Sequence, residues 1–66
     1  MTAEEIKATR GRVPFKPFFV ELSSGRIIPI ETHDHLLFTP KDKYLVICNG
    51  TVSIVEPESV VSLIVP

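Results

Sequence analysis

The chain has 66 residues, a formal net charge of −1 and one cysteine, Cys48. This length allows one domain, and a chain this short buries only about 60% of the surface that its unfolded form exposes. The lone cysteine excludes an internal disulfide and is typical of a reducing compartment, and domains of this size commonly need a metal or a partner subunit instead.

The N-terminal residues predict a short helix. Thr2 and Glu5 have the spacing of a capping box, so the helix should run from Ala3 to about Arg10 and stop at Gly11. The segment has no apolar stretch of the kind that signal peptides contain. No run in the chain reaches the roughly 18 apolar residues of a membrane span. We therefore expect a cytoplasmic protein without a membrane contact.

Residues 12–17 predict an extended arm, because two prolines three positions apart exclude a helix. Phe15 and Phe18 would anchor this arm on the body of the domain. The single domain, 1–66, is thus expected to contain a short helix (1–11), the arm (12–17) and a body (18–66).

From Phe18 onward the sequence predicts short β-strands at 18–22, 26–30, 36–38, 44–48, 51–55 and 60–65. Gly25 should supply a positive φ in the first hairpin, and Asn49-Gly50 should form the type I′ turn of a later one. Pro29 lacks an N–H, which places its strand at a sheet edge or at a bend. Five or six antiparallel strands predict a mainly β fold, a small and strongly bent barrel with a short N-terminal helix.

The strands carry more large apolar side chains than the inside of one small barrel can hold. Alternation leaves Val60 and Ile64 in water, and Phe19, Ile27 and Val55 also fall on outer faces. Either the helix and the arm cover these side chains, or another subunit does. We expect a homo-oligomer that associates through edge strands or through this outer apolar face.

Both histidines lie in the segment ETHDH, residues 31–35. On a straight strand His33 and His35 would share a face, about 6.5–7 Å apart, and could chelate a metal such as Zn²⁺. The structural alternative is a polar corner between two strands, where His33 donates from a ring nitrogen to a backbone carbonyl. A subunit contact through these histidines, sensitive to pH, is a third alternative. We expect no cofactor and keep the pair as metal-ligand candidates.

Positive charge is concentrated in residues 7–16, which hold four cations, whereas residues 17–66 hold three cations and six acids, a net charge of −3. Arg10, Arg12 and Lys16 are the candidates for contacting nucleic-acid phosphates. The alternative is a solvated basic segment that binds nothing.

Sequence motifs of catalysis are missing. The chain has no glycine-rich phosphate loop, no nucleophile elbow and no convincing carboxylate pair. Cys48 lies in an apolar run that is typical of a core or interface cysteine, whereas a nucleophile would need a histidine within reach. We expect a binding or assembly protein and not an enzyme.

Residues 12–26, RVPFKPFFVELSSGR, resemble the opening shared by a group of small bacterial proteins of unknown function, R-x-P-F-x-P-F-x-[IV]-x-[LM]-x-[DN]-G-R. The resemblance extends over about residues 10–66. His33 matches a histidine of the group and His35 matches no position in it. Ser24 and Asp34 depart from the group's pattern, which has an acid or amide before the glycine and a proline after the histidine. The resemblance implies an SH3-like or Sm-like barrel in a bacterial protein, and no activity.

A second similarity is to bacterial Sm-like RNA chaperones. Residues 20–26 are similar to the strand–turn–strand start of those proteins, and residues 61–66 to their last strand. Their RNA-contacting motifs are missing, since no Asn follows a D-x-h-h segment and no Lys-His pair precedes the last strand. The leading expectation is therefore a self-associating binding or assembly module. RNA binding is the first alternative, and metal binding through His33 and His35 is the second.

Overall fold

A computed structural model describes all residues, 1–66. It contains one helix, α1 (Ala3–Arg10), and six strands: β1 (Phe18–Leu22), β2 (Ile27–Ile30), β3 (Leu36–Phe38), β4 (Leu45–Asn49), β5 (Thr51–Val55) and β6 (Val60–Ile64). Three single 3₁₀ turns connect them, at His33–His35, Pro40–Asp42 and Pro57–Ser59. The predicted mainly β fold with a short N-terminal helix is confirmed.

The strands form two antiparallel sheets of three strands each. Sheet A has the order β2-β1-β6 and sheet B the order β3-β4-β5. No backbone ladder joins one sheet to the other, but two side-chain hydrogen bonds cross between them. Asn49 Nδ2 donates to the carbonyl of Pro29 at 3.0 Å, and Arg26 Nη2 donates to Ser53 Oγ at 3.2 Å. As its proline predicts, β2 is an edge strand.

The core fills the space between the inner faces of the two sheets. Its ten buried side chains are all apolar: Ile6, Phe18, Val20, Leu22, Ile28, Ile30, Leu36, Leu45, Ile47 and Val60. Phe15 at the end of the arm packs against this cluster and lies beside Phe18, with the two ring centroids 6.1 Å apart. The arm is not uniformly extended, because the chain bends at Val13 and Pro14, where the peptide bond is cis.

Helix α1 is capped and docked. Thr2 Oγ1 accepts a hydrogen bond from the Glu5 N–H, and Glu5 Oε1 accepts one from the Thr2 N–H, which completes the predicted capping box. The hydrogen bonds from Thr2 hold the pKa of Glu5 below its ordinary value of 4.5. Ile6 is the one buried residue of the helix. The Met1 amine adds a hydrogen bond to the carbonyl of Val60 at 2.9 Å, which ties the N terminus to β6.

Two apolar residues face opposite to their predicted direction. Val60 is buried, because a bulge between Glu21 and Leu22 shifts the register of β6. Val55 pairs with Leu45 and packs against the core, so its predicted outer position is wrong. Phe19, Ile27 and Ile64, by contrast, are exposed as the alternation predicts.

Of the predictions for the two glycine turns, one is confirmed and the other is wrong. Gly25 has a φ of +92°, as predicted for the first hairpin. Gly50 also has a positive φ, +76°, but Asn49 does not and instead forms the end of β4. A type I′ turn requires positive φ at both central residues, so that predicted turn type is wrong.

Candidate functional site

The two histidines lie in the 3₁₀ turn His33–His35, between β2 and β3. A 3₁₀ turn has three residues per turn, so side chains two positions apart point in different directions and not to one face, as the chelate prediction assumed. His35 Nδ1 accepts a hydrogen bond from the Glu31 N–H at 3.4 Å. His33 Nε2 lies 3.1 Å from Asp34 Oδ1 and bonds no carbonyl. The predicted polar corner is present, but the histidine that bonds the backbone is His35 and not His33. It accepts a hydrogen bond, whereas His33 was expected to donate one.

The structure contains no group of three or more His, Cys, Asp or Glu side chains that could hold a metal ion. Metal binding by His33 and His35 stays a hypothesis from the sequence.

The basic segment forms one side of a shallow cleft at the end of α1, which is lined by Arg10, Gly11, Arg12, Val13, Phe15 and His33. The structure thus brings two of the three predicted cations together, and Lys16 is not among the lining residues. His33 adds an imidazole to the cleft, with its ring centroid 6.2 Å from that of Phe15.

The two arginines of the cleft differ in how they are held. Arg10 Nη1 donates to the carbonyl of Leu36 at 2.9 Å, and its guanidinium carbon lies 5.6 Å from the centroid of the Phe38 ring. Arg12 is exposed and forms neither an ion pair nor a side-chain hydrogen bond. Arg12 is therefore the cation of this cleft that is available to an incoming anion.

The outer face of sheet B carries no charge. Cross-strand pairing places Leu37 of β3 beside Val46 of β4, Val46 beside Ile54 of β5, and Cys48 beside Val52. These five residues are called the uncharged face below. Leu37 is 45% exposed, Val52 64% and Ile54 65%. Helix α1 and the arm leave this face open to solvent, so the helix-and-arm alternative for covering the outer apolar residues does not hold here.

The outer face of sheet A is more polar. Phe19 lies between Pro29 and Ile64, but the next row places Glu21 between Ile27 and Ser62. Ser62 Oγ donates to Glu21 Oε1 at 2.6 Å. The carboxylate on the middle strand makes this face a poorer surface for apolar association than the uncharged face.

The sequence reasoning missed Val52 and Ile54, which are the most exposed members of the uncharged face. A signal was available in the alternation of β5, Thr51-Val52-Ser53-Ile54-Val55, but alternation alone does not tell which set faces the core. Cys48 was expected in a core or at an interface; it is half-buried, on the outer side of β4.

No helix of the structure combines the length and the apolar character needed to cross a membrane. A comparison with protein-family models finds no match to this chain. Comparisons with curated proteins and with solved structures find none either.

Proposed function

We propose that this chain is a non-enzymatic, self-associating assembly module of the bacterial cytoplasm, and that its docking surface is the uncharged face. The occupant is a second copy of the chain. The observation that carries the proposal is that five neighbouring outward residues on three strands include no charged side chain. An apolar, contiguous and exposed face of this kind marks an interaction surface in small proteins.

Two features favour a second copy over an unrelated partner. In a two-fold interface equivalent residues approach each other near the axis, where a charge would face its own copy, and this face has no charge. Two sheets that pack by their faces lie about 10 Å apart with their strands nearly aligned, and a three-stranded face without charge can pack in this way. The net charge of −1 adds little repulsion between copies.

The expected affinity follows from the exposed fractions of Leu37, Val52 and Ile54, 45%, 64% and 65%. Complete burial of one such side chain contributes about 1.5–3 kcal/mol, so the remaining exposure of all three contributes about 2.5–5 kcal/mol per chain and about 5–10 kcal/mol per pair. Association costs about 4–15 kcal/mol. A dimer held by this face alone should therefore be weak, with a dissociation constant in the micromolar range or above.

The test compares two lysine substitutions by sedimentation equilibrium over a concentration series. Leu37→Lys places a charge in the uncharged face, on an edge strand away from β5. Ile27→Lys is the matched control, because Ile27 is also on an edge strand and is 51% exposed, but on the outer face of sheet A. We expect Leu37→Lys to shift association to higher concentration and Ile27→Lys to leave it unchanged. A wild-type chain that stays monomeric at high micromolar concentration, or equal effects of both substitutions, would refute the proposal.

RNA binding is a second candidate, because Arg10, Arg12, Phe15 and His33 line one cleft. Guanidinium groups bind phosphates, and an aromatic ring can stack on a base of single-stranded RNA. The finer fold prediction, an SH3-like or Sm-like barrel, applies to both candidates, and it is supported by the two side-chain hydrogen bonds between the sheets. It predicts salt-dependent binding of a single-stranded oligonucleotide that Arg12→Ala weakens more than Lys16→Ala, since Lys16 is outside the cleft. Absence of binding at low salt would exclude it.

A further inference from the structure

Three of the four sheet edges carry a group that satisfies or removes a backbone hydrogen-bonding site. On β2, Pro29 has no N–H and its carbonyl accepts from Asn49. On β3, the Leu36 carbonyl accepts from Arg10. On β6, the Val60 carbonyl accepts from the Met1 amine, beside the bulge in the β1–β6 pairing. Each of these groups occupies or removes one backbone site and so hinders the pairing of that edge with another chain.

The fourth edge, β5, has none of these devices. Its five residues, Thr51–Val55, include no charge and no proline, and their pairing with β4 runs without a bulge. The ladder with β4 provides every hydrogen bond of its backbone, and outside that ladder only the Ser53 side chain is bonded, by Arg26. Its outer row of N–H and C=O groups therefore has no hydrogen-bond partner, which makes β5 a template for strand addition.

We propose that β5 pairs antiparallel with β5 of a second copy, about a two-fold axis at Ser53, as a contact distinct from the uncharged face. This inference rests on the proposed self-association and adds a second contact to it. The strand is complementary to itself in this register. Ser53 lies opposite Ser53 of the other copy, Val52 opposite Ile54, and Thr51 opposite Val55.

The side chains favour this partner over an unrelated strand. Each β-branched or apolar residue on the outer side meets another of the same kind, and such cross-strand pairs stabilise antiparallel sheets. Equivalent residues approach each other near the two-fold axis, so a strand without charge avoids the repulsion that Lys or Glu would create there. Arg26 bonds the Ser53 hydroxyl and leaves the backbone free, but two copies of this cation would repel each other near the axis, so the pairing requires the exposed Arg26 side chain to turn away from Ser53.

The two contacts are compatible in one closed assembly. Edge pairing joins two copies of sheet B into one six-stranded sheet, with its two-fold axis perpendicular to that sheet. Packing two such sheets by their uncharged faces adds two-fold axes that lie between the sheets. Three mutually perpendicular two-fold axes define a tetramer with dihedral symmetry, which is a common closed form for homo-oligomers. In this tetramer, packing of the two sheets also covers the larger apolar face that edge pairing creates.

Disulfide trapping tests the register. Ser53→Cys in a Cys48→Ser background places one thiol per chain on the proposed axis, where directly opposite Cβ atoms are about 4.5–5.5 Å apart. That spacing is close to the distance between the two Cβ atoms of a disulfide. Thr51→Cys in the same background is the control, because it is on the same strand and exposed, but would lie about four strand positions from its copy, on the order of 13 Å. Mild oxidation should link most of the Ser53→Cys chains and leave the Thr51→Cys chains reduced.

The results that would refute edge pairing through β5 differ from those that would refute association through the uncharged face. A chain that assembles while Ser53→Cys and Thr51→Cys link equally, or neither links, overturns edge pairing and leaves the uncharged face as the contact. Efficient linking of Ser53→Cys that persists when Leu37→Lys is added supports edge pairing separately from the face. A tetrameric mass for the wild-type chain, reduced to a dimer by Leu37→Lys, supports both contacts. Urea unfolding of each variant confirms that it folds before its linking is compared.

Discussion

Replacing Ile6 by Ala should destabilise the domain by about 3 kcal/mol. Ile6 is 0% exposed and is the one helix residue in the core. The substitution removes three carbons at about 0.8 kcal/mol each, and a partly filled cavity adds about 1 kcal/mol. The better helix propensity of Ala returns a few tenths of a kcal/mol. A domain of this size has about 3–10 kcal/mol of total stability, so the loss should be a large fraction of it.

The measurement is urea unfolding at one fixed protein concentration, because self-association adds stability that depends on concentration. Ala8→Gly is the matched control, since Ala8 is exposed on the same helix and should lose only about 1 kcal/mol through helix propensity. A loss for Ile6→Ala no greater than that for Ala8→Gly would mean that α1 is not docked through Ile6. The core packing described above would then be wrong at this position.

Three smaller perturbations test individual features. Gly50→Ala should cost about 1–2 kcal/mol in urea unfolding from its positive φ alone, since an added Cβ would meet nothing within 4 Å, and Gly50→Asn should cost less. Asn49→Ala should cost about 0.5–1.5 kcal/mol, because the hydrogen bond to the Pro29 carbonyl is lost; no change would show that this bridge between the sheets is dispensable. The pKa of Glu5 is held below 4.5 mainly by the Thr2 side chain, so its contribution to stability is complete above that pH and is lost as the pH falls through the lowered value. An NMR titration should find the Glu5 midpoint below 4.5, and Thr2→Ala should move it upward.

Local signals along the chain predicted the helix and the strands well. The Thr2 and Glu5 spacing located the start of α1, because a capping box depends on groups within a few residues. The missing N–H of Pro29 restricted its strand to a sheet edge or a bend, and the sheet order shows the edge. The sequence predicted only part of the cation cleft. The sequence grouped Arg10 and Arg12 by proximity, but the contact of Phe15 with His33 joins the arm to a turn some 18 residues away in the chain.

The histidine segment shows a second limit. Residue types predicted a polar corner, but the chelate prediction depended on a strand conformation at His33 and His35. The chain turns there through 3₁₀ geometry, which separates the two rings. His35 bonds the backbone through the Glu31 N–H, and the position of that group depends on how the chain passes from β2 in sheet A to β3 in sheet B.

By itself, the sequence determined the fold class, a strand number of five or six, and the surplus of apolar side chains. The tertiary structure decided which of these apolar side chains face water. A two-residue Asn49-Gly50 turn would pair Cys48 with Thr51, whereas the chain pairs Cys48 with Val52. Because side chains alternate along a strand, this shift of one residue reverses every side chain of β5. It places Val55 in the core and Val52 on the uncharged face, and the proposed association of this chain depends on that register.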